Sequence, residues 1–468
     1  MRKQSAEFKL RKIKIEWGED KITDAAGLGA LMEVFDESPV SKPFKNALPK
    51  RVSNRSLGSY RLGLIQLSSF IYGHDALDDL EEFRGDPLFE AALKGEMAAP
   101  RTMGDFLRDF KGENIQKLNE YLSKQARAYR KHLKKVLPKE YQPGALVLDI
   151  DSTSHEQHAK QMEGLAWNYK DEWCLDSQVI YDELGFSHGL DLRSGNTKSG
   201  VGAGVMLDEV LKQYSFTEEK HVRGDSAYCI QEVIRTCINR GAKFTLTAHD
   251  AYTSWRSRVV EITEWRPWQW SEKDREKAQK RKQELPVVEL GRLHWQPSWS
   301  ESLRLPVVVK RTWIEAKDTQ QNSLFDAPLE EGHWEYYAVV TNRNLYEYEY
   351  QEVMEFHQKR GNAENFIREE KYGYDLKHFP CQKLIANHAF ALLAMVAHNI
   401  LRWAALIQRP DRPHFSKKLR RRFIHVPGRL ISHARQLTMR IPVRFRKEVE
   451  GLLQALRATP IPSLADSS

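Results

Sequence analysis

The stretch Ala145–Thr153, "ALVLDIDST", decides how the rest of the chain is read. Leu146, Val147, Leu148 and Ile150 make it apolar on both sides, as expected of a central strand in an α/β sheet. Side chains alternate along a strand, so Asp149 and Asp151 share one face while Leu148 and Ile150 point to the other. Two carboxylates on one face repel each other unless solvent or a cation compensates them. The plainer alternative is a pair of ordinary polar residues near a strand end.

Downstream of this strand, Glu172–Leu192 reads as two more strands around a turn at Glu183–Gly185. "GAGVMLDEVLKQY" is helical, and "KHVRGDSAY" is a strand ending in polar residues. A helix to Asn239 and the strand "AKFTLTAH" follow. Three strands, helix, strand, helix, strand predict a mixed α/β domain rather than repeated βαβ units. Upstream, a basic strand "FKLRKIKI" (Phe8–Ile15) precedes short helical patterns and a longer amphipathic helix over Asn114–Leu137, whose second half is basic. These predict a mainly helical N-terminal domain, residues 1–138, with a role in DNA binding.

Residues 252–342 break the α/β rhythm. "RSRVVEI", "VVELGRLHW", "LPVVVKRTWIEA" and "HWEYYAVVTN" are short extended runs between turn signals, and eight of the twelve tryptophans lie between Trp255 and Trp334. An all-β insertion is expected here, its tryptophans serving mostly as packing. It splits the α/β domain into residues 139–251 and 343–407. A helical, basic C-terminal region, residues 408–468, closes the chain. Its segment Arg409–Lys447 holds 13 Lys or Arg and one acidic residue, Asp411.

The 468 residues exceed what one hydrophobic core usually serves, and the net charge of +8 permits nucleic-acid binding without proving it. The four cysteines form no Cys-x2-Cys pair, which argues against a zinc site or a disulfide framework. No apolar leader follows the N-terminal charges, so a cytoplasmic, nucleoid-associated protein is expected. His388–Ile407 is apolar enough to raise the question of a membrane span. It contains two histidines, an asparagine and an arginine, and reads as a buried helix. Ser226 lacks a nucleophile elbow, which excludes a serine hydrolase, and no P-loop supports a nucleotide cofactor.

Two further carboxylates complete a set with Asp151. Asp225, in "HVRGDSAYCI", stands where a strand gives way to a helix, the crevice position at which α/β sheets place ligands. It reads equally as a helix N-cap. Glu364 lies in "HQKRGNAENFIREEKYG" (His357–Gly373), with Arg360 four residues before it and Lys371 seven after. Glu364 and Lys371 share a helix face, with Arg368 between them; Arg360 joins that face only if Gly361 and Asn362 do not start a new helix. An exposed helix laced with ion pairs is the alternative. Carboxylate oxygens suit Mg²⁺, and two such ions can clamp the attacking and leaving oxygens of a phosphodiester. Arg can hold a phosphate bidentately, whereas Lys acts as a point charge.

At these residues the chain resembles the DDE transposases of bacterial insertion sequences. It is most similar to the branch with a Tyr-x2-Arg-x3-Glu-x6-Lys signature and a β-rich insertion. Arg360, Glu364 and Lys371 match, while His357 stands at the tyrosine position. "DIDST" and "RGDSAY" resemble the family's two aspartate motifs. The resemblance implies an RNase H-like catalytic domain with Asp151, Asp225 and Glu364 as catalytic residues and metal ligands, and Asp149 as a further candidate ligand. It implies two Mg²⁺ ions per site, with Mn²⁺ able to substitute, and a homodimer that cuts double-stranded DNA at transposon ends and joins them to a target. His357, Arg360, Arg368 and Lys371 are the expected phosphate contacts, joined by Lys417, Lys418, Arg420, Arg421 and Arg422 of the basic tail. A nuclease of the same fold without strand transfer, and an inactive DNA-binding regulator, are the alternatives.

Overall fold

The computed structural model describes residues 20–51, 57–93, 97–315, 332–433 and 436–464. The basic strand expected over Phe8–Ile15 lies outside them. After a short strand β1 (Ile22–Thr23) come helices α1 (Ala26–Glu37), α2 (Ser41–Ala47), α3 (Ser59–Tyr72), α4 (Pro87–Leu93), α5 (Pro100–Arg108) and α6 (Gly112–Val136). At the start of α6, the Asn114 side chain accepts from the Lys111 N–H at 3.1 Å, satisfying one of the donors a helix start leaves free.

The stretch that opened the sequence is strand β2 (Leu146–Glu156). It is followed by β3 (Ala166–Trp167), β4 (Trp173–Asp182), β5 (Ser187–Ser194), α7 (Ala203–Leu211), β6 (Lys220–Gly224), α8 (Gln231–Asn239) and β7 (Lys243–Thr247). β2 pairs antiparallel with β4 and parallel with β6; β4 pairs antiparallel with β5, and β6 parallel with β7. The order β5–β4–β2–β6–β7 puts β2 at the centre, as its two apolar sides require. On one face Leu148, Ile150, Val222, Phe244 and Leu246 pack with Leu207 of α7 and Val233 of α8. Each such fully buried side chain contributes about 1.5–3 kcal/mol through burial.

The segment inserted after β7 corrects two expectations. It is mainly but not wholly β: α9 (Asp250–Thr253), α10 (Trp255–Arg258) and α11 (Glu272–Arg281) accompany β8 (Arg266–Pro267), β9 (Val288–Trp295), β10 (Leu305–Ile314) and β11 (His333–Thr341). The run "RSRVVEI", expected to be extended, is helical because Trp255 is buried and anchors a turn there, its Nε1 donating to the Ala248 carbonyl at 3.2 Å. The strands also build no separate sheet. β11 pairs with β7, so β11, β10, β9 and β8 continue the central sheet to ten strands. The tryptophans serve largely as packing: Trp255 and Trp295 are buried, and Trp313 meets Trp334 edge-on at 5.2 Å.

Helices α12 (Tyr350–Gln358), α13 (Ala363–Gly373) and α14 (Leu384–Gln408) return to the opposite sheet face. α14 is the one helix among the described residues long and apolar enough to cross a membrane, and it is buried inside the fold. Four of its polar residues bind the backbone of β5 and the turn before it. Asn399 bridges Ser187 N and O at 2.8 Å each; His388, His398 and Arg402 donate to the carbonyls of Leu190, Gly185 and Leu184. Buried polar groups need such partners. One apolar cluster joins α14 and α6 to the N-terminal helices and to Val179, Tyr181 and Leu190 of the sheet. The C-terminal region, expected to be helical, is mixed. Short α15 (Ser416–Leu419) and α16 (Arg446–Ala458) flank the hairpin β12 (Gly428–His433) and β13 (Gln436–Arg440), which pairs with β1. Pairing with β1 gives the hairpin a third strand, which an isolated hairpin needs for stability.

Candidate active site

Asp151 and Asp225 meet where the parallel ladder between β2 and β6 ends, Asp151 midway along β2 and Asp225 just after β6. The β2–β6 register ends with Ile150 opposite Gly224, so the next residue on each strand is one of the two aspartates. Gly224 permits this close fit, since a Cβ there would lie 2.9 Å from Tyr228 Cβ and 3.1 Å from a Leu246 methyl. The chain then turns, and Asp225 Oδ1 accepts from Ala227 N at 2.9 Å, capping the short 3₁₀ turn Ser226–Tyr228. Capping uses one oxygen of Asp225 and leaves the carboxylate half-exposed. Burial raises the Asp151 pKa; the Arg360 charge opposes the shift and the nearby Asp225 adds to it.

The helical side supplies the counter-charge. α12 ends at Gln358, a 3₁₀ turn spans Lys359–Asn362, and α13 begins at Ala363, so the break at Gly361 is real but tight. Arg360 projects from that turn and donates from Nη1 to Asp151 Oδ2 at 2.9 Å. Asp151, Asp225 and Asp149 all act to raise its pKa, although burial works the other way. Lys371, on the last turn of α13, emerges beside Ser152, Thr153 and Ser154 into an open cleft of about 1530 Å³. Trp167, Lys170, Lys198 and Trp299 also line this cleft, which starts one residue beyond Asp151.

Glu364 is exposed in the first turn of α13. Among the described residues, no three His, Cys, Asp or Glu side chains are grouped so as to hold a metal ion. Asp151 and Asp225 nevertheless suit a hard divalent cation: adjacent, oxygen-bearing and short of compensating charge beyond Arg360. Asp149 does not suit one. It is 2% exposed and gripped by Arg223, with Nε–Oδ1 2.6 Å and Nη2–Oδ2 2.7 Å, so both of its oxygens are taken. Burial, against the pull of Arg223, pushes its pKa up to about 6.

Two of the expected phosphate contacts are buried. His357 is 2% exposed and held by Thr245, Thr247 and Tyr337. Arg420 is buried and donates to the carbonyls of Phe70, Ile71 and Gly373, tying α3 to the end of α13. Arg368, Lys417, Lys418, Arg421 and Arg422 are exposed. Arg223 was not expected at the site, although it lies two residues before Asp225 on the same strand face, a spacing that could have marked it. Thr245, Thr247 and Tyr337 carried no such mark.

The model of the family described as "Transposase DDE domain group 1" matches residues 6–460. The chain belongs to that family. No curated protein matches it. Membership makes the protein a DDE transposase, an enzyme class that acts on DNA with divalent metal ions.

Proposed function

We propose that this transposase cleaves DNA at the inverted-repeat ends of its own element and joins the freed 3′-hydroxyls to target DNA, from an RNase H-like catalytic domain. The strand order β5–β4–β2–β6–β7, with β2, β6 and β7 parallel, supports the RNase H-like reading. The observation that carries the functional reading is the adjacency of Asp151 and Asp225, with Arg360 directly on Asp151.

Asp151 and Asp225 would hold the Mg²⁺, with Glu364 as the third carboxylate of the set. Two ions held there would supply Lewis-acid stabilisation of the charge that develops on the phosphodiester. Arg360 would transfer from Asp151 to the phosphate, where its planar fork can hold two oxygens. Lys371 would carry the strand into the cleft beside Ser152 as a point charge, and Arg368 would extend the same basic surface. The exposed Lys417, Lys418, Arg421 and Arg422 would hold flanking duplex. A homodimer would pair two ends.

The test uses purified protein and DNA carrying the sequences that flank its coding region, with Mg²⁺ or Mn²⁺. Nicks at the ends and joined products are expected, and Asp151→Asn, Asp225→Asn and Glu364→Gln should each lose nicking while still shifting DNA in a gel. Undiminished cleavage by Asp225→Asn would overturn the assignment. Cleavage without joined products would favour the nuclease alternative.

A further inference from the structure

Tyr337 lies on β11, in the inserted segment, yet its phenol reaches the sheet face that carries the aspartates. Across the β7–β11 ladder Thr245 is opposite Thr341 and Thr247 opposite Val339. Tyr337, two residues from Val339, therefore faces the same way as Thr247. Its hydroxyl is 2.7 Å from Thr247 Oγ1 and 2.9 Å from His357 Nε2, and Thr247 Oγ1 is itself 3.0 Å from that nitrogen.

The proton order within this trio follows from His357. Burial, followed by the charge of Arg360, pushes its pKa down to about 3, so the ring is neutral at physiological pH. Nδ1 faces the Thr245 carbonyl oxygen at 3.2 Å, which places the ring proton on Nδ1 and leaves Nε2 as an acceptor. The Thr247 hydroxyl can satisfy that acceptor alone. No buried group then depends on the phenolic proton of Tyr337. The ring is 38% exposed, so the proton can be turned outward. Burial raises the phenol's pKa, the hydrogen bond with Thr247 and the charge of Arg360 oppose the rise, and the charge of Asp225 adds to it.

We propose that Tyr337 is a substrate-binding residue, donating its phenolic proton to a phosphate oxygen of the same DNA strand that Arg360 engages. Thr247 and His357 are the positioning residues that fix the phenol. The inference rests on the transposase reading and adds to it a phosphodiester contact contributed by the insertion.

The test measures single-turnover nicking of end DNA and of a series in which single phosphates near the cut are replaced by neutral methylphosphonates. Tyr337→Phe keeps the ring and should fold with an unchanged melting temperature. It should nick about 10- to 100-fold more slowly, as expected for losing a hydrogen bond to a charged group. Wild-type protein should be sensitive to methylphosphonate at one position where Tyr337→Phe is not, an outcome that a purely structural role would not produce. Thr247→Val should resemble Tyr337→Phe, because the phenol must then serve His357, and the double variant should be no worse. Wild-type nicking rates in Tyr337→Phe, or an unchanged methylphosphonate profile, would overturn the proposal while leaving the transposase reading intact. Absence of metal-dependent nicking by the wild-type protein would overturn both.

Discussion

Arg360 Nη1 stands 2.9 Å from Asp151 Oδ2, joining the turn before α13 to the central strand of the sheet. The two side chains are 20% and 17% exposed, so the pair is reached by solvent but screened less than a surface pair. The guanidinium proposed to engage a phosphate neutralises a carboxylate when no DNA is bound. Arg360→Lys keeps the charge and loses the planar fork. Single-turnover nicking should fall about 10- to 100-fold, the loss expected for a hydrogen bond to a charged group. Wild-type nicking by the lysine variant would reduce Arg360 to a bare charge.

Asp149 and Arg223 form a buried pair with little solvent contact on either side. Removing one partner leaves the other charge uncompensated, so Arg223→Ala should destabilise the protein by about 3–5 kcal/mol in chemical denaturation. Asp149→Asn should also lose stability, yet its folded fraction should keep metal-dependent nicking. Loss of nicking by folded Asp149→Asn would restore Asp149 as a ligand.

The basic run Lys417–Arg422 divides into two kinds of residue. Lys417, Lys418, Arg421 and Arg422 are exposed, and replacing any one that neutralises a phosphate should lower the salt dependence of DNA binding by about 0.9 in log–log slope. Arg420→Ala should instead show as a fall in melting temperature, because three backbone carbonyls lose their donor. Titrating binding against salt for each variant, beside its thermal melt, separates the two.

Glu370 is fully buried next to Glu369 on α13, and burial pushes its carboxyl up to about 7. Tyr181 donates to it at 3.1 Å, which opposes the shift without cancelling it. The folded protein therefore binds this proton more tightly than the unfolded chain does. The resulting stability is complete below the ordinary value of 4.5 and is lost as pH rises through about 7. Denaturation at pH 5 and pH 8 should show the wild type losing about 2–3 kcal/mol more than Glu370→Gln, which cannot ionise. Parallel pH profiles for the two proteins would rule out Glu370 as the titrating group.

The α/β core was legible because β2 and β4–β7 each carry their own signal: two-sided apolar character, or an apolar run bounded by turns. α14 was legible for a different reason. Its polar residues were visible in the sequence, although their partners, the β5 carbonyls, were not. What could not be read is pairing between distant strands. "HWEYYAVVTN" identifies a strand but not its neighbour, so the union of β11 with β7 was hidden, and Tyr337 with it. The run "KKLRRRF" hid the division between Arg420 and its neighbours, because burial depends on which helix happens to lie above. Asp151 and Asp225 were nominated through their strand positions, and the β2–β6 register brings them together. Glu364 was nominated through its spacing to Arg360 and Lys371, a pattern that carries no information on whether its side chain faces the aspartates.

The pairing of β11 with β7 makes the inserted segment a cap on an otherwise raw margin. With residues 252–342 deleted, β7 would present free N–H and C=O groups to any passing chain, an invitation to aggregate. In the intact protein the margin has moved outward to β8, which is two residues long and ends in Pro267, a residue with no N–H to offer. A shortened form of this enzyme should therefore precipitate unless a new blunt edge is designed in its place.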